Sequence, residues 1–153
     1  MRALIILLLA GCASHVWKGA DVSTGKAVEA KCDDMPSGHT FSGKYHSTEM
    51  GKPLELTQQG ETITGKWTRP KPPDNECVVS GELTGRAKEN FVEFTWKEDW
   101  TACGESTVSG EGWALYRILE GEDQRPRLFG MRGLDKSDTN QGPWQAIKTS
   151  TTP

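Results

Sequence analysis

Between residues 62 and 67 the chain alternates, with Ile63 and Trp67 on one side and Thr62, Thr64 and Lys66 on the other. A period of two is the mark of a β-strand with one face buried. Short runs of the same texture, rich in β-branched and aromatic residues, lie at 41–47, 54–58, 77–85, 90–96, 106–117, 127–134 and 144–148. Gly, Pro, Asn and Asp clusters separate them. Gln59-Gly60-Glu61 reads as a tight turn, and Pro70, Pro72 and Pro73 mark a loop because proline cannot donate to a ladder. The pattern predicts an all-β domain of eight consecutive strands joined by short connections. An eight-stranded antiparallel up-and-down meander closes naturally into a small barrel, which removes unpaired edges; a two-sheet sandwich is the rival arrangement.

Glycine recurs inside these runs, in Ser42-Gly43-Lys44-Tyr45, Thr64-Gly65-Lys66-Trp67, Ser80-Gly81-Glu82-Leu83 and Ser109-Gly110-Glu111-Gly112-Trp113. Strand glycines weaken a sheet, so their repetition predicts strong coiling or aromatic rings packed over bare backbone. The intervals between them are uneven, which argues against a solenoid repeat.

The 153 residues suit one domain. With 18 basic against 21 acidic residues, the chain lacks the cationic surplus that nucleic acid demands, so no nucleic-acid partner is expected. A separate cofactor domain does not fit this length, and no cofactor is expected. His15, His39 and His46 are scattered, and no His-x-x-x-His, Cys-x-x-Cys or Gly-x-Ser-x-Gly motif occurs. His39 and His46 with Asp33 and Asp34 read as solvated residues and not as a metal cluster. The carboxylates, Glu98 and Asp99 among them, read as soluble surface. The expectation is a non-catalytic protein.

At the N-terminus, Arg2 precedes an apolar run from Ala3 to Ala10. Eight apolar residues make about 12 Å of helix, far short of a bilayer core of about 30 Å. The run therefore reads as a signal-peptide core. It ends in Leu9-Ala10-Gly11-Cys12, which resembles the lipobox of bacterial lipoproteins. That resemblance implies cleavage before Cys12, diacylation of its thiol and acylation of the new amine, an anchor stronger than one chain gives. Ala13, where Asp would signal inner-membrane retention, resembles outer-membrane sorting. The bland alternative is an ordinary secretory signal. The expected organisation is a signal at 1–11, lipidated Cys12 with a flexible tether to residue 40, a barrel at 41–148 and a tail at 149–153.

The string from Asp74 through Cys77-Val78-Val79-Ser80-Gly81-Glu82-Leu83-Thr84-Gly85-Arg86, then Asn90 to Trp96, Thr101-Ala102-Cys103 and Ser106 to Gly110, resembles the middle of the avidin family. Its dimeric, disulfide-bearing bacterial branch is the nearest likeness. Gly43-Lys44-Tyr45 up to Leu56 resembles that family's first hairpin, and Gly142-Pro143-Trp144-Gln145-Ala146 its late Trp. The likeness covers about residues 40–148. It implies a calycin-like barrel with a ligand site at the mouth. The family's hydrogen-bond donors transfer poorly: Ser47 falls at an Asn position, Lys52 near a Ser, and Trp67 where a Tyr would stand. Met131 or Phe129 lies near a wall Trp, and the chain ends before the family's last strand. Each missing hydrogen bond costs about 1–3 kcal/mol, which argues against high-affinity biotin binding.

The same likeness implies a disulfide between Cys77 and Cys103, worth about 3 kcal/mol in the chain-entropy model. Pairing of Cys32 with either of them is the rival, and otherwise Cys32 is a free thiol or an intermolecular link. Ser47, Trp67, Trp96, Trp100 and Trp113 are the candidate ligand contacts. Trp100 stands out because an indole in a polar loop is not explained by core packing. Two functions compete: a lipid-anchored envelope barrel binding a small ligand, and an envelope assembly module gripping a protein partner or a second copy.

Overall fold

A computed structural model describes residues 12–47, 53–71, 76–121, 123–134 and 141–150. The eight expected strands are present as β3 (Gly43–Ser47), β4 (Leu54–Gln59), β5 (Thr62–Pro70), β6 (Val78–Lys88), β7 (Phe91–Asp99), β8 (Val108–Ile118), β9 (Pro126–Gly133) and β10 (Gln141–Ser150). Each pairs antiparallel with the next, and β10 closes on β3 to complete a barrel. The chain thus supplies its own closing strand, as the eight-strand barrel requires. β10 also runs into the segment expected as a tail. The reason is local: Trp144, Ala146 and Lys148 alternate inward and continue the barrel core.

The interior follows the alternation. Ile63 and Trp67, Val79 and Leu83, Phe94 and Trp96, Ala114 and Tyr116, Leu128, and Trp144 and Ala146 are all buried. The large rings fit because they lie opposite glycines. Phe94 pairs with Gly85 on one side and Gly112 on the other, Trp96 with Gly110, and Trp144 with Gly130. A Cβ on Gly112 would stand 2.7 Å from the Phe94 ring, and one on Gly130 2.9 Å from the Trp144 nitrogen. Both are well inside normal contact distance. The ring covering each bare backbone comes from the neighbouring strand.

Residues 16–31 are not a flexible tether. They form a hairpin, β1 (Val16–Ala20) and β2 (Ala27–Lys31), laid on the outer wall of β7 to β10. Trp17 is buried against Phe129 with ring centroids 4.8 Å apart. His15 packs on Phe91 and Trp113 at 4.4 and 4.9 Å. At the hairpin tip, Asp21 meets the fully buried Arg127 at 2.6 Å, and Gln145 bonds both Val22 N and Ala20 O. The sequence from 13 to 40 shows no sustained period because each strand of the hairpin buries a single residue, Trp17 in β1 and Ala30 in β2.

One end of the barrel is plugged as the chain passes from β2 to β3. Asn90, in the two-residue turn between β6 and β7, exchanges bonds with Asp33 and donates to Lys31 O and Tyr116 O. Phe41 fills the axis and accepts from the Tyr45 hydroxyl at 2.8 Å, while Lys148 reaches Thr40 O. His39 Nδ1 lies 2.9 Å from the Tyr116 hydroxyl. Burial pushes the Tyr116 phenol up to about 12.

Candidate functional site

The opposite end is built from different chemistry. Along β7 the inward positions read Val92, Phe94, Trp96 and then Glu98, so a carboxylate continues an apolar stripe. Glu98 is about 1% exposed and was read from sequence as surface. It accepts from Trp67 Nε1 at 2.9 Å, from Arg69 Nε and Nη2 at 3.0 and 2.9 Å, and from Trp100 Nε1 at 3.2 Å. Burial alone would raise its carboxyl; the hydrogen bonds from Arg69 and Trp67 and the adjacent guanidinium outweigh that and hold it below the ordinary range. Four donors occupy a carboxylate's acceptor sites, so Glu98 organises the rim and is not poised to move protons.

The Trp67 bond crosses a strand. Trp67 pairs with Gly81, and Gly81 with Glu98, so the three share one row of β5, β6 and β7. The indole lies over Gly81, which has no side chain to block it, and reaches Glu98 beyond. Trp96 repeats the device, lying over Gly110 to donate to Gly133 O at 3.1 Å.

Cations stack on these indoles. The Arg69 guanidinium lies 4.9 Å from the Trp100 ring, Lys71 Nζ 5.8 Å from it, and the Arg132 guanidinium 4.5 Å from Trp96. Trp144 is buried, and its Nε1 finds no acceptor among the described residues. The rim loops are fastened by the Cys77–Cys103 disulfide, as the sequence resemblance implies, and by a Lys71–Glu105 ion pair. Within the second loop, Asp99 accepts from Thr101 and the Trp100 carbonyl from Cys103 and Glu105.

Four of the five candidate contacts, Ser47, Trp67, Trp96 and Trp100, therefore belong to this end of the barrel. Ser47 is buried on the inner face of β3; Lys52 lies outside the described residues. Trp113 is not among them. It points outward, beneath the N-terminal segment against His15 and Phe91, because its neighbour Gly112 takes the inward position. Phe129 and Met131 likewise face the hairpin and not the mouth. Sequence reading missed Glu98 and Arg69. The available signal was the carboxylate at the fourth inward position of β7.

Cys32 has a partner the sequence did not suggest. It bonds to Cys12, with Cα atoms 5.4 Å apart, closing the base of the hairpin. One sulfur cannot carry both this bond and a diacylglyceryl thioether. Glu89 approaches the pair, but both thiols are consumed in the bond, which leaves no thiolate for a metal. On the outer wall of β6 to β8 lie two open concavities of about 460 and 530 Å³, lined by strand side chains including Thr84, Thr95 and Glu111. No family of proteins, no curated protein and no solved structure matches this chain.

Proposed function

We propose that this chain is a non-catalytic, lipid-anchored barrel of the cell envelope that binds a small ligand at the end rimmed by Ser47, Trp67, Trp96 and Trp100. The observation that carries the reading is the unlike construction of the two ends. One is stoppered by Phe41, Tyr45, Tyr116 and the Asn90 knot. The other places stacked indoles and guanidiniums around a buried carboxylate, on loops fastened by a disulfide. Aromatic walls with a few fixed polar groups are the usual make-up of a small-molecule site. The Trp67 N–H already bonds Glu98, which speaks against its replacing a ureido-binding hydroxyl and so against tight biotin binding. The lipobox-like Leu9-Ala10-Gly11-Cys12 supports an acylated residue 12, which replaces the Cys12–Cys32 bond, and the Cys77–Cys103 bond supports an oxidising envelope, with the outer membrane as the favoured site.

Native mass spectrometry of the chain purified from its own envelope tests this reading. The expected result is a small bound mass that exchanges with added ligand. A ligand-free chain that instead co-purifies with a stoichiometric protein partner would replace it with the assembly-module reading.

A further inference from the structure

Resting on that anchored reading, we infer that the stoppered end and the hairpin-bearing flank face the bilayer, and that the ligand-binding mouth opens away from it. The inference depends on where Cys12 sits. Its sulfur lies 3.9 Å from Lys88 O, at the turn between β6 and β7, which belongs to the stoppered end. Only residues 13–15 separate it from β1. Fully extended, the stretch from Cys12 to Val16 spans at most about 14 Å. β1 is no free leader, because its hairpin is bound to the barrel wall by Trp17, the Asp21–Arg127 pair and Gln145.

The docking survives acylation of Cys12. The Cys12–Cys32 bond joins the two ends of the hairpin segment to each other and not to the barrel. Converting Cys12 to a thioether opens that bond, takes the Cys12 side chain out of the buried cluster and leaves Cys32 as a thiol beside Glu89, while Trp17 on Phe129, the Asp21–Arg127 pair and the Gln145 bonds involve no atom of Cys12. Residue 12 therefore stays at the stoppered end when its sulfur carries the lipid in place of the Cys32 bond.

β7 measures the distance to the mouth. It runs from Phe91, beside the N-terminal segment, to Asp99 at the rim. At about 3.3 Å per residue and the usual barrel tilt, that places Trp100 about 20 Å further along the axis than the anchor. The surface next to Cys12 mixes exposed Lys31 and Lys88 with Glu89, so acyl chains and not charge provide the attraction. A mouth held in this way meets solutes of the aqueous compartment. It is badly placed to withdraw a lipid from the membrane that holds it.

The test uses the lipidated chain, extracted from its own membranes and reconstituted in phosphatidylethanolamine–phosphatidylglycerol vesicles doped with a headgroup-nitroxide lipid. In a Cys32→Ser background, a fluorophore is attached at Ser106→Cys on the rim loop or at Glu120→Cys on the turn after β8; both native residues are exposed. Quenching by the nitroxide lipid is expected to be several-fold stronger at position 120. Vesicle-bound protein with equal or stronger quenching at position 106 overturns the orientation and leaves the anchor intact. A chain that does not float with vesicles, and whose residue 12 carries no diacylglyceryl mass, overturns anchor and orientation together.

Discussion

Trp67 and Glu98 are joined by a hydrogen bond that passes over Gly81, the residue lying between them in the barrel wall. The bond exists because residue 81 has no Cβ, and it makes a strand glycine part of the rim. Gly81→Ala is expected to push the indole aside and cost about 1–3 kcal/mol, as overpacking does. The cost should shrink when Trp67→Phe is already present, since the two changes then share one lost contact. Urea unfolding of the double-mutant cycle measures this, and strictly additive effects would contradict it.

Glu98 is buried with its charge, and Arg69 is its main partner. Arg69→Ala leaves a carboxylate inside the barrel with only two indole donors. Removing one partner of such a pair typically costs about 3–5 kcal/mol, and the partial exposure of Arg69 places the expected loss near the lower figure. A Cm shift equivalent to less than about 1 kcal/mol would show that water replaces the guanidinium freely.

The pH dependence follows from the same group. The Glu98 carboxyl is held below its ordinary value when folded, and so is that of Asp21. A depressed folded value means stability that is complete above the ordinary carboxylate range and is lost as pH falls through the folded value. Acid unfolding should therefore be shallower in Glu98→Gln than in the parent, whose stability falls more steeply below about pH 4. Equal slopes would contradict the assignment.

At the other pH extreme the two tyrosines report on the stopper. Burial raises the phenols of both Tyr45 and Tyr116, the latter to about 12. A raised folded value gives stability that is complete below the ordinary tyrosine value and lost as pH rises through the folded one. Tyrosinate absorbance should stay flat through pH 10 and 11 and then rise together with unfolding. A normal titration near 10 would mean that the stopper is open to water.

The hairpin depends on a buried ion pair. Arg127 contacts Asp21, Asp123, Ser23 and the Arg125 carbonyl while about 1% exposed. Asp21→Ala removes one of that guanidinium's two carboxylate partners and leaves Asp123, Ser23 and the Arg125 carbonyl, so a loss of about 1–3 kcal/mol is expected. Hydrogen exchange should quicken in β1 and β2 before the barrel strands, because the hairpin is the element released. Uniform loss of protection across the barrel would contradict local release.

The barrel was legible in the sequence because its signal is periodic. Ile63 and Trp67 alternate cleanly with polar neighbours, and each of the eight runs became a strand within a few residues of its expected bounds. The glycines were legible as positions needing a ring, though the ring is supplied across the sheet, as Trp96 is to Gly110. The hairpin was not legible. Its stability comes from Trp17 on Phe129 and Asp21 on Arg127, pairs separated by more than 100 residues, and its own strands bury too little to show a period. The rim was half legible: Trp100 drew attention as an indole in a polar loop, but Glu98 looked like ordinary surface charge until the inward register of β7 placed it in the core, and Arg69 looked like the start of the proline loop, whereas β5 runs on through Pro70. Trp113 looked like a mouth residue because sequence alone could not tell which of Gly112 and Trp113 faces inward.

The six tryptophan side chains give the most direct test of the mouth, since each indole N–H is a separate resonance in a nitrogen–proton correlation spectrum. Titrating the chain with the small-molecule fraction of its own envelope extract should move the signals of Trp67, Trp96 and Trp100. Those of Trp17 and Trp113, on the far side of the wall beneath the N-terminal segment, should stay in place. Binding that shifts only Trp17 and Trp113, or an extract that moves no indole signal at all, would contradict a ligand site at the end of the barrel that carries Trp67, Trp96 and Trp100.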